Sequence, residues 1–171
     1  MLRRAMKRRQ YRRCVVGYGN AKRIALLYDA GPDGKTAFIN KIINNLEHDG
    51  KIVRAIGFFN QKRIPEGVIV NQKVGFFSKK SFSVWMYPKS ETVRKFIDQP
   101  YDLLIDLTVQ PHFMVKYVAG ITKASYKAGA HHSDYLSVFD LLLYVDEQTT
   151  DEKLANHAIH YLKIIKTPEA K

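Results

Sequence analysis

Short apolar runs and amphipathic segments alternate along most of the chain. The runs Ile24–Tyr28 and Tyr101–Leu107 have the length and composition of buried strands, and residues 52–59 and 139–145 form two more. Between these runs, apolar residues recur every three or four positions, as on one face of a helix. Strands that alternate with helices in this way predict an α/β layer fold with a mostly parallel sheet.

Several boundaries can be placed from local signals. The first amphipathic segment, residues 38–46, ends at Asp49-Gly50, where glycine suits the left-handed position after a helix. Thr149 and Glu152 have the spacing of a capping box and predict the start of the last helix. Helices are also predicted near residues 93–98 and 111–121.

The stretch from residue 60 to 86 is less regular. Pro65 and Gly67 interrupt it, residues 68–70 are predicted as a short edge strand, and residues 82–86 as a further strand. Residues 127–130 are predicted as another short strand. With no internal repeat or linker, we expect a single three-layer domain, Rossmann-like or flavodoxin-like, over residues 21–167, preceded by a basic N-terminal arm over residues 1–20.

Composition narrows the class of protein. The 171 residues are 46% apolar, which is enough for a full core. Cys14 is the single cysteine, so neither an intramolecular disulfide nor a cysteine-rich zinc site is expected, and a reducing, cytoplasmic location is the simple inference. No apolar run has the length of a membrane span. The histidines show no metal-ligand spacing, and no cofactor is predicted.

Positive charge is concentrated at the N-terminus. Seven of the 28 Lys and Arg residues lie within the first 13 positions, where no residue is acidic. Four interpretations are open: an organelle transit peptide, a polybasic patch for anionic membrane lipid, a nucleic-acid-binding arm, or a solvated tail. A polyanion partner accounts for the concentration of charge, because each cation docked on a phosphate releases a condensed counterion.

The nucleic-acid interpretation names specific residues. Tyr11 could stack on a base, and Lys22 and Arg23 would extend the contact to the folded domain. The cations of the arm are Arg3, Arg4, Lys7, Arg8, Arg9, Arg12 and Arg13. Further basic residues recur at 62–63 and 79–80, near Phe76 and Phe77, which are either stacking residues or plain core.

A second constellation lies between the first strand and the first helix. Residues 29–36 read DAGPDGKT, and Gly34-Lys35-Thr36 matches the end of a phosphate-binding P-loop. The first glycine of that motif is replaced by Asp29, and Pro32 removes a backbone N–H donor. Strand ends of open parallel sheets place ligands nearby, so the candidate crevice also includes Asp106 and Thr108. The alternative is a turn that leads into a helix.

Several short sequence segments resemble those of a known family. They are residues 77–85 (FSKKSFSVW), 101–107 (YDLLIDL), 124–129 (ASYKAG), 139–143 (FDLLL) and 161–165 (YLKII). In this order they resemble an uncharacterised family of small bacterial proteins of unknown function. The stretch from 102 to 129 also resembles, more faintly, the N-terminal half of heptosyltransferase-like glycosyltransferases. The first resemblance implies one α/β domain, the second implies fold only, and neither transfers a catalytic residue.

These observations favour a non-catalytic protein that binds structured RNA, such as ribosomal RNA or the ribosome, through its basic arm. The alternative is a ligand-binding or enzymatic domain that acts on a phosphorylated small molecule at the carboxyl ends of the strands. An anionic membrane is the remaining partner to test.

Overall fold

The computed structural model describes residues 11–68, 70–133 and 136–166. Within these ranges, six strands and four α-helices follow one another along the chain. In order they are β1 (Arg23–Asp29), α1 (Thr36–His48), β2 (Ile52–Phe59), β3 (Val74–Ser78), α2 (Glu91–Asp98), β4 (Tyr101–Asp106), α3 (Phe113–Ile121), β5 (Ala124–Ala130), β6 (Leu141–Leu143) and α4 (Asp151–Ile164).

The six strands form one sheet in the order β3-β2-β1-β4-β5-β6, and every neighbouring pair is parallel. This is the strand order of the dinucleotide-binding Rossmann fold and differs from the flavodoxin order. The prediction of a single Rossmann-like α/β domain is therefore confirmed. The predicted parallel sheet follows from the buried strands, which are apolar on both faces.

Each face of the sheet has its own apolar core. Along β1, Ile24, Leu26 and Tyr28 pack on the side of α1 and α4, whereas Ala25 and Leu27 pack on the side of α2 and α3. Side chains alternate between the faces because successive residues of a strand point in opposite directions. The helices on the two faces make the three layers.

Five sequence predictions about local structure are wrong. The edge strand is β3 at 74–78, and Val68 and Val70 lie in no strand. Residues 82–86 form a turn closed by a single bridge between Phe82 and Pro88. Strand β5 begins at 124 rather than 127, and β6 covers only 141–143. The N-cap of α4 is Thr150, whose hydroxyl accepts from the Lys153 N–H, so the helix starts one residue later than predicted and the capping box of Thr149 and Glu152 does not form.

The sheet leaves no room for a side chain at Gly57 in β2. A Cβ there would lie 2.7 Å from Cζ of Tyr28 and 2.9 Å from Cδ1 of Phe76, and both rings are buried. We expect Gly57→Ala to lower the free energy of unfolding by about 1–3 kcal/mol, because neither ring can move without disturbing the core. Urea unfolding followed by circular dichroism measures the loss. Gly19→Ala is the control, because a Cβ at Gly19 meets nothing within 4 Å; equal stabilities of the two variants would contradict the prediction.

Candidate functional site

The fold places a crevice at the carboxyl ends of β1 and β4. These two strands are neighbours, with Leu27 opposite Asp106. The chain leaves β1 toward α1 on one face of the sheet and leaves β4 toward α3 on the other. Open α/β sheets bind ligands at this point, where the two connections diverge. The structure therefore brings together the predicted residues Asp29, Asp106 and Thr108 at one edge.

The loop from β1 to α1 is a tight turn built on backbone geometry. Gly31, Gly34 and Lys35 all have positive φ, at 60°, 83° and 45°. The Asp29 carboxylate accepts a hydrogen bond from the Gly31 N–H at 3.1 Å, and Asp33 accepts one from the Lys35 N–H at 3.2 Å. Thr36 is the exposed first residue of α1. The turn is thus held by its own carboxylates.

The predicted cation of this loop is already neutralised. The Lys35 ammonium forms an ion pair with Asp151, in the first turn of α4. His112 Nε2, from the β4–α3 loop, lies 3.6 Å from a carboxylate oxygen of Asp29 and so links the two sides of the crevice. A phosphate would compete with Asp151 for the Lys35 ammonium, which works against a P-loop function.

Below the crevice lies a buried ion pair. Lys116 of α3 and Asp106 of β4 are both fully buried, with Nζ 2.7 Å from the carboxylate. The other Asp106 oxygen accepts from the Thr108 N–H at 3.0 Å, and the ammonium lies 5.0 Å from the centre of the Phe139 ring. A pair desolvated this completely fixes α3 on β4. Asp106 is therefore occupied within the fold.

Two polar atoms near the carboxyl ends of β4 and β5 have no hydrogen-bond partner among the described residues. They are Oγ1 of Thr108, a fully buried residue, and Nε2 of His132, at the end of β5. Burial, helped by the charge of Lys116, lowers the pKa of His132 and favours its neutral form. Sequence reasoning missed His132, because nothing in its spacing indicates that β5 lies beside β4.

The basic arm meets the folded domain at the other end of the sheet, near the amino ends of the strands. Residues 3–9 of the predicted nucleic-acid contact lie outside the described part of the chain. Arg13 is held by the Asp140 carboxylate at 2.8 Å and by the carbonyl groups of Ser137 and Val138. Lys22 and Arg23 are exposed at the start of β1, where the Asp102 carboxylate accepts both of their backbone N–H groups.

A second concentration of positive charge follows the ends of β2 and β3. We use the name basic cluster for four exposed side chains. They are Lys62, Arg63, Lys79 and Lys80. Backbone hydrogen bonds from Lys79 N–H to the Gln61 carbonyl and from Lys80 N–H to the Lys62 carbonyl hold the two segments together. Within the described ranges, none of the four side chains forms an ion pair.

Exposed aromatic residues adjoin the basic cluster. The turn after residue 82 presents Val84, Trp85 and Tyr87 to solvent, with 92%, 74% and 63% of their surface exposed. The Tyr117 hydroxyl donates to the Met86 carbonyl at 3.0 Å and attaches the turn to α3. We name residues 83–87 the aromatic turn. The sequence indicated Phe76 and Phe77 as either stacking or core residues; both are buried.

The described residues lack other familiar sites. No helix among them has the length and apolarity needed to cross a membrane. Nor do their His, Cys, Asp and Glu side chains form any group of three or more that could hold a metal ion.

Comparison with known proteins identifies the family. A model described as "Family of unknown function (DUF6913)" matches residues 1–165. The chain belongs to the DUF6913 family. This membership confirms the predicted relationship to an uncharacterised family. No curated protein and no solved structure matches this DUF6913 chain.

Proposed function

We propose that this DUF6913 protein binds structured RNA, with the ribosome or ribosomal RNA as the specific target, and that it acts without catalysis. The observation that carries the proposal is the basic cluster beside the aromatic turn. Unpaired cations and an exposed tryptophan on one edge of a rigid domain supply both components of a single-strand contact, phosphate neutralisation and base stacking.

The charges of the basic cluster are available for an outside partner. By contrast, the described ion pairs occupy Lys35, Lys41, Lys73 and Lys116 with carboxylates. A lysine or arginine without an internal partner gains most from a polyanion, since it gives up only hydration on binding. The basic cluster is thus the part of the folded domain best suited to phosphate groups.

Trp85 provides the second component. An indole that is 74% exposed costs free energy in water, and a nucleobase can cover it by stacking. Bases are accessible in the loops and bulges of RNA and are stacked inside duplex DNA. The aromatic turn therefore favours looped RNA over duplex DNA.

The basic arm supplies positive charge, and its point of attachment determines where the arm leaves the folded domain. Because Arg13 is held by Asp140 and two carbonyl groups, we assign it an anchoring role. Arg12 and the half-buried Tyr11 precede it at the surface. The arm and Lys22–Arg23 then contribute contacts at the amino ends of the strands. The basic cluster contributes contacts at the carboxyl ends.

The test measures the affinity of the full chain for a fluorescently labelled RNA stem–loop as a function of KCl concentration. Gln substitutions at the four positions of the basic cluster should reduce the magnitude of the slope of log affinity against log salt by about 3, since each lost phosphate contact removes about 0.7–0.9. Trp85→Ala should weaken binding by about 1–3 kcal/mol with the slope unchanged, because stacking releases no counterions.

A matched control removes four exposed cations from elsewhere on the domain. The control substitutes Gln at Lys41, Lys153, Lys163 and Lys166. This control should retain most of the slope.

A further variant with Gln at the five cations between residues 3 and 9 measures the contribution of the arm separately. Equal affinity and slope in the wild-type, cluster and arm proteins would refute RNA binding, and equal binding of anionic vesicles in the presence of competing RNA would indicate a membrane partner instead.

The crevice at the ends of β1 and β4 is the second candidate, for a phosphorylated small molecule. One observation favours it, the fully buried Thr108 hydroxyl without a described partner. We place it second because Lys35, Lys116 and His112 already face carboxylates there. Thr108→Val tests it within the titration described below.

A further inference from the structure

A cavity lies toward the amino ends of the strands, at the opposite end of the sheet from the basic cluster. Its volume is about 590 Å³, within the usual range of small-molecule sites. The first half of β2 forms its floor and α2 forms one wall, so it is distinct from the crevice at the carboxyl ends of β1 and β4. From Arg54 to the end of β2, the strand rises about 16 Å, which separates the cavity from the basic cluster.

The side chains that line the cavity are positively charged or neutral. Arg54, Lys73 and Lys95 contribute to the lining, and none of the described lining residues is acidic. Two of these cations have partners outside the lining: Lys73 pairs with Glu47 and Lys95 with Glu91, each at 2.8 Å.

Arg54 is the exception. It is half-buried, and its guanidinium forms neither an ion pair nor a hydrogen bond with any residue that the structure describes. A guanidinium has five N–H donors in a planar arrangement that matches an oxyanion. Its neighbour across the sheet is Ala25 of β1, which is fully buried, so Arg54 lies at the border between the core and the cavity. A half-buried arginine without a partner among the described residues can pair with an anion from outside the chain.

Tyr101, at the start of β4, provides an independent observation. It lines the same cavity and is only 2% exposed, yet its hydroxyl has no hydrogen-bond partner among the described residues. Tyr101 and Arg54 both line the cavity; burial raises the pKa of Tyr101, and the charge of Arg54 opposes that change. A buried hydroxyl without a partner is costly, and a ligand atom that hydrogen bonds to it would recover that cost.

The remaining lining supplies neutral polar groups. Gln72 and Gln99 have amide groups that make no hydrogen bond within the described chain, and Phe96 contributes apolar surface. Gly75 lets Thr92 of α2 approach β3 closely, since a Cβ placed on Gly75 would lie 2.5 Å from Thr92 Cγ2. The cavity therefore combines the Arg54 guanidinium with apolar surface and neutral amide groups.

We propose that this cavity is a binding site for a small organic anion, whose phosphate or carboxylate group pairs with Arg54 and whose body hydrogen bonds to Tyr101. The site is separate from the basic cluster and the aromatic turn, since these lie at the carboxyl ends of β2 and β3 and the cavity lies toward the amino ends of the strands. A nucleotide or a metabolite of similar size fits the volume.

The experiment is isothermal titration of the full chain with four probes: inorganic phosphate, ribose 5-phosphate, AMP and 2-oxoglutarate. The phosphate compounds and the dicarboxylate distinguish the two sources of the oxyanion. We expect at least one organic probe to bind, Arg54→Gln to weaken that binding at least about tenfold, and Tyr101→Phe to weaken it about threefold.

Arg94→Gln is the matched control, because Arg94 is exposed on α2 and does not line the cavity. This control and the four-residue cluster variant should bind the probe as the wild type does. Circular dichroism confirms folding of each variant. The proposal is overturned if no organic probe binds at about 10 mM, if Arg54→Gln binds as tightly as the wild type, or if Thr108→Val abolishes binding that Arg54→Gln leaves intact.

Discussion

Replacing Lys116 by Met is expected to lower the free energy of unfolding by about 3–5 kcal/mol. The substitution keeps the length of the side chain but leaves the Asp106 carboxylate fully buried without its counter-charge. That carboxylate would retain only the Thr108 N–H at 3.0 Å. Urea unfolding followed by circular dichroism gives the value.

The exposed pair Lys41–Glu152 provides the control, since about two thirds of the Lys41 side chain is in solvent. Lys41→Met should cost no more than about 0.5 kcal/mol. The double variant Asp106→Leu with Lys116→Met should recover most of the stability, because it removes both buried charges together. A cost below about 1 kcal/mol for Lys116→Met alone would show that the pair is not desolvated in solution.

The second large effect is a rise in stability between pH 7 and about pH 9.5, caused by Lys127. The pKa of Lys127 is lowered to about 7, mainly by burial and in part by the charge of Arg13, with Asp140 opposing the shift. In the unfolded chain this lysine has its ordinary pKa near 10.4. Between the two pKa values the unfolded state binds more protons, so the free energy of unfolding rises by up to about 1.4 kcal/mol per pH unit.

Comparison with Lys127→Met isolates this contribution, because every other titrating group is common to both proteins. The difference in unfolding free energy between the two should change by roughly 2–3 kcal/mol across that pH range. Above pH 10 the buried tyrosines, including Tyr28 and Tyr101, act in the opposite direction, since burial raises their pKa. Lys123→Met, at an exposed neighbour, should follow the wild type. Parallel curves for wild type and Lys127→Met would contradict the predicted pKa.

Most of the fold could be predicted from the sequence because its central strands are short, apolar and bounded by turn residues. Strands β1 and β4 are examples, since both faces of each are covered by helices and nearly every residue is buried. Edge strands are harder. In β3, Gly75 interrupts the pattern and lysines flank the strand, so the more apolar stretch at 68–70 was predicted in its place.

The error at residues 82–86 has a similar origin. Phe82, Val84 and Met86 alternate as in a half-buried strand, but only Phe82 is fully packed, against Phe77 and Tyr117. Met86 has φ of 61°, and the Ser83 hydroxyl accepts from the Tyr87 N–H, which closes a turn. Backbone conformation of this kind depends on contacts with α3, and local sequence does not specify it.

The candidate sites were also hard to predict from the sequence, because they depend on tertiary contacts. A lysine in a sequence is expected in solvent, yet Lys116 and Lys127 are buried, because their partners lie on other elements. The P-loop-like phrase correctly located a turn at a strand end but did not indicate that Asp151 neutralises Lys35. The two segments of the basic cluster come together through the pairing of β2 with β3, and the cavity lining also needs α2 and the start of β4. Charge along the sequence predicted a class of partner, and tertiary structure was needed to locate the surfaces.

Trp85 is the single tryptophan of this chain, and it lies at the surface rather than in the core. Its intrinsic fluorescence is therefore a label-free reporter of whatever covers the aromatic turn: iodide should quench it in the free protein, and a stacked base should both protect and shift it. For the same reason its emission changes little when the domain melts, so tyrosine absorbance is the better optical signal for denaturation.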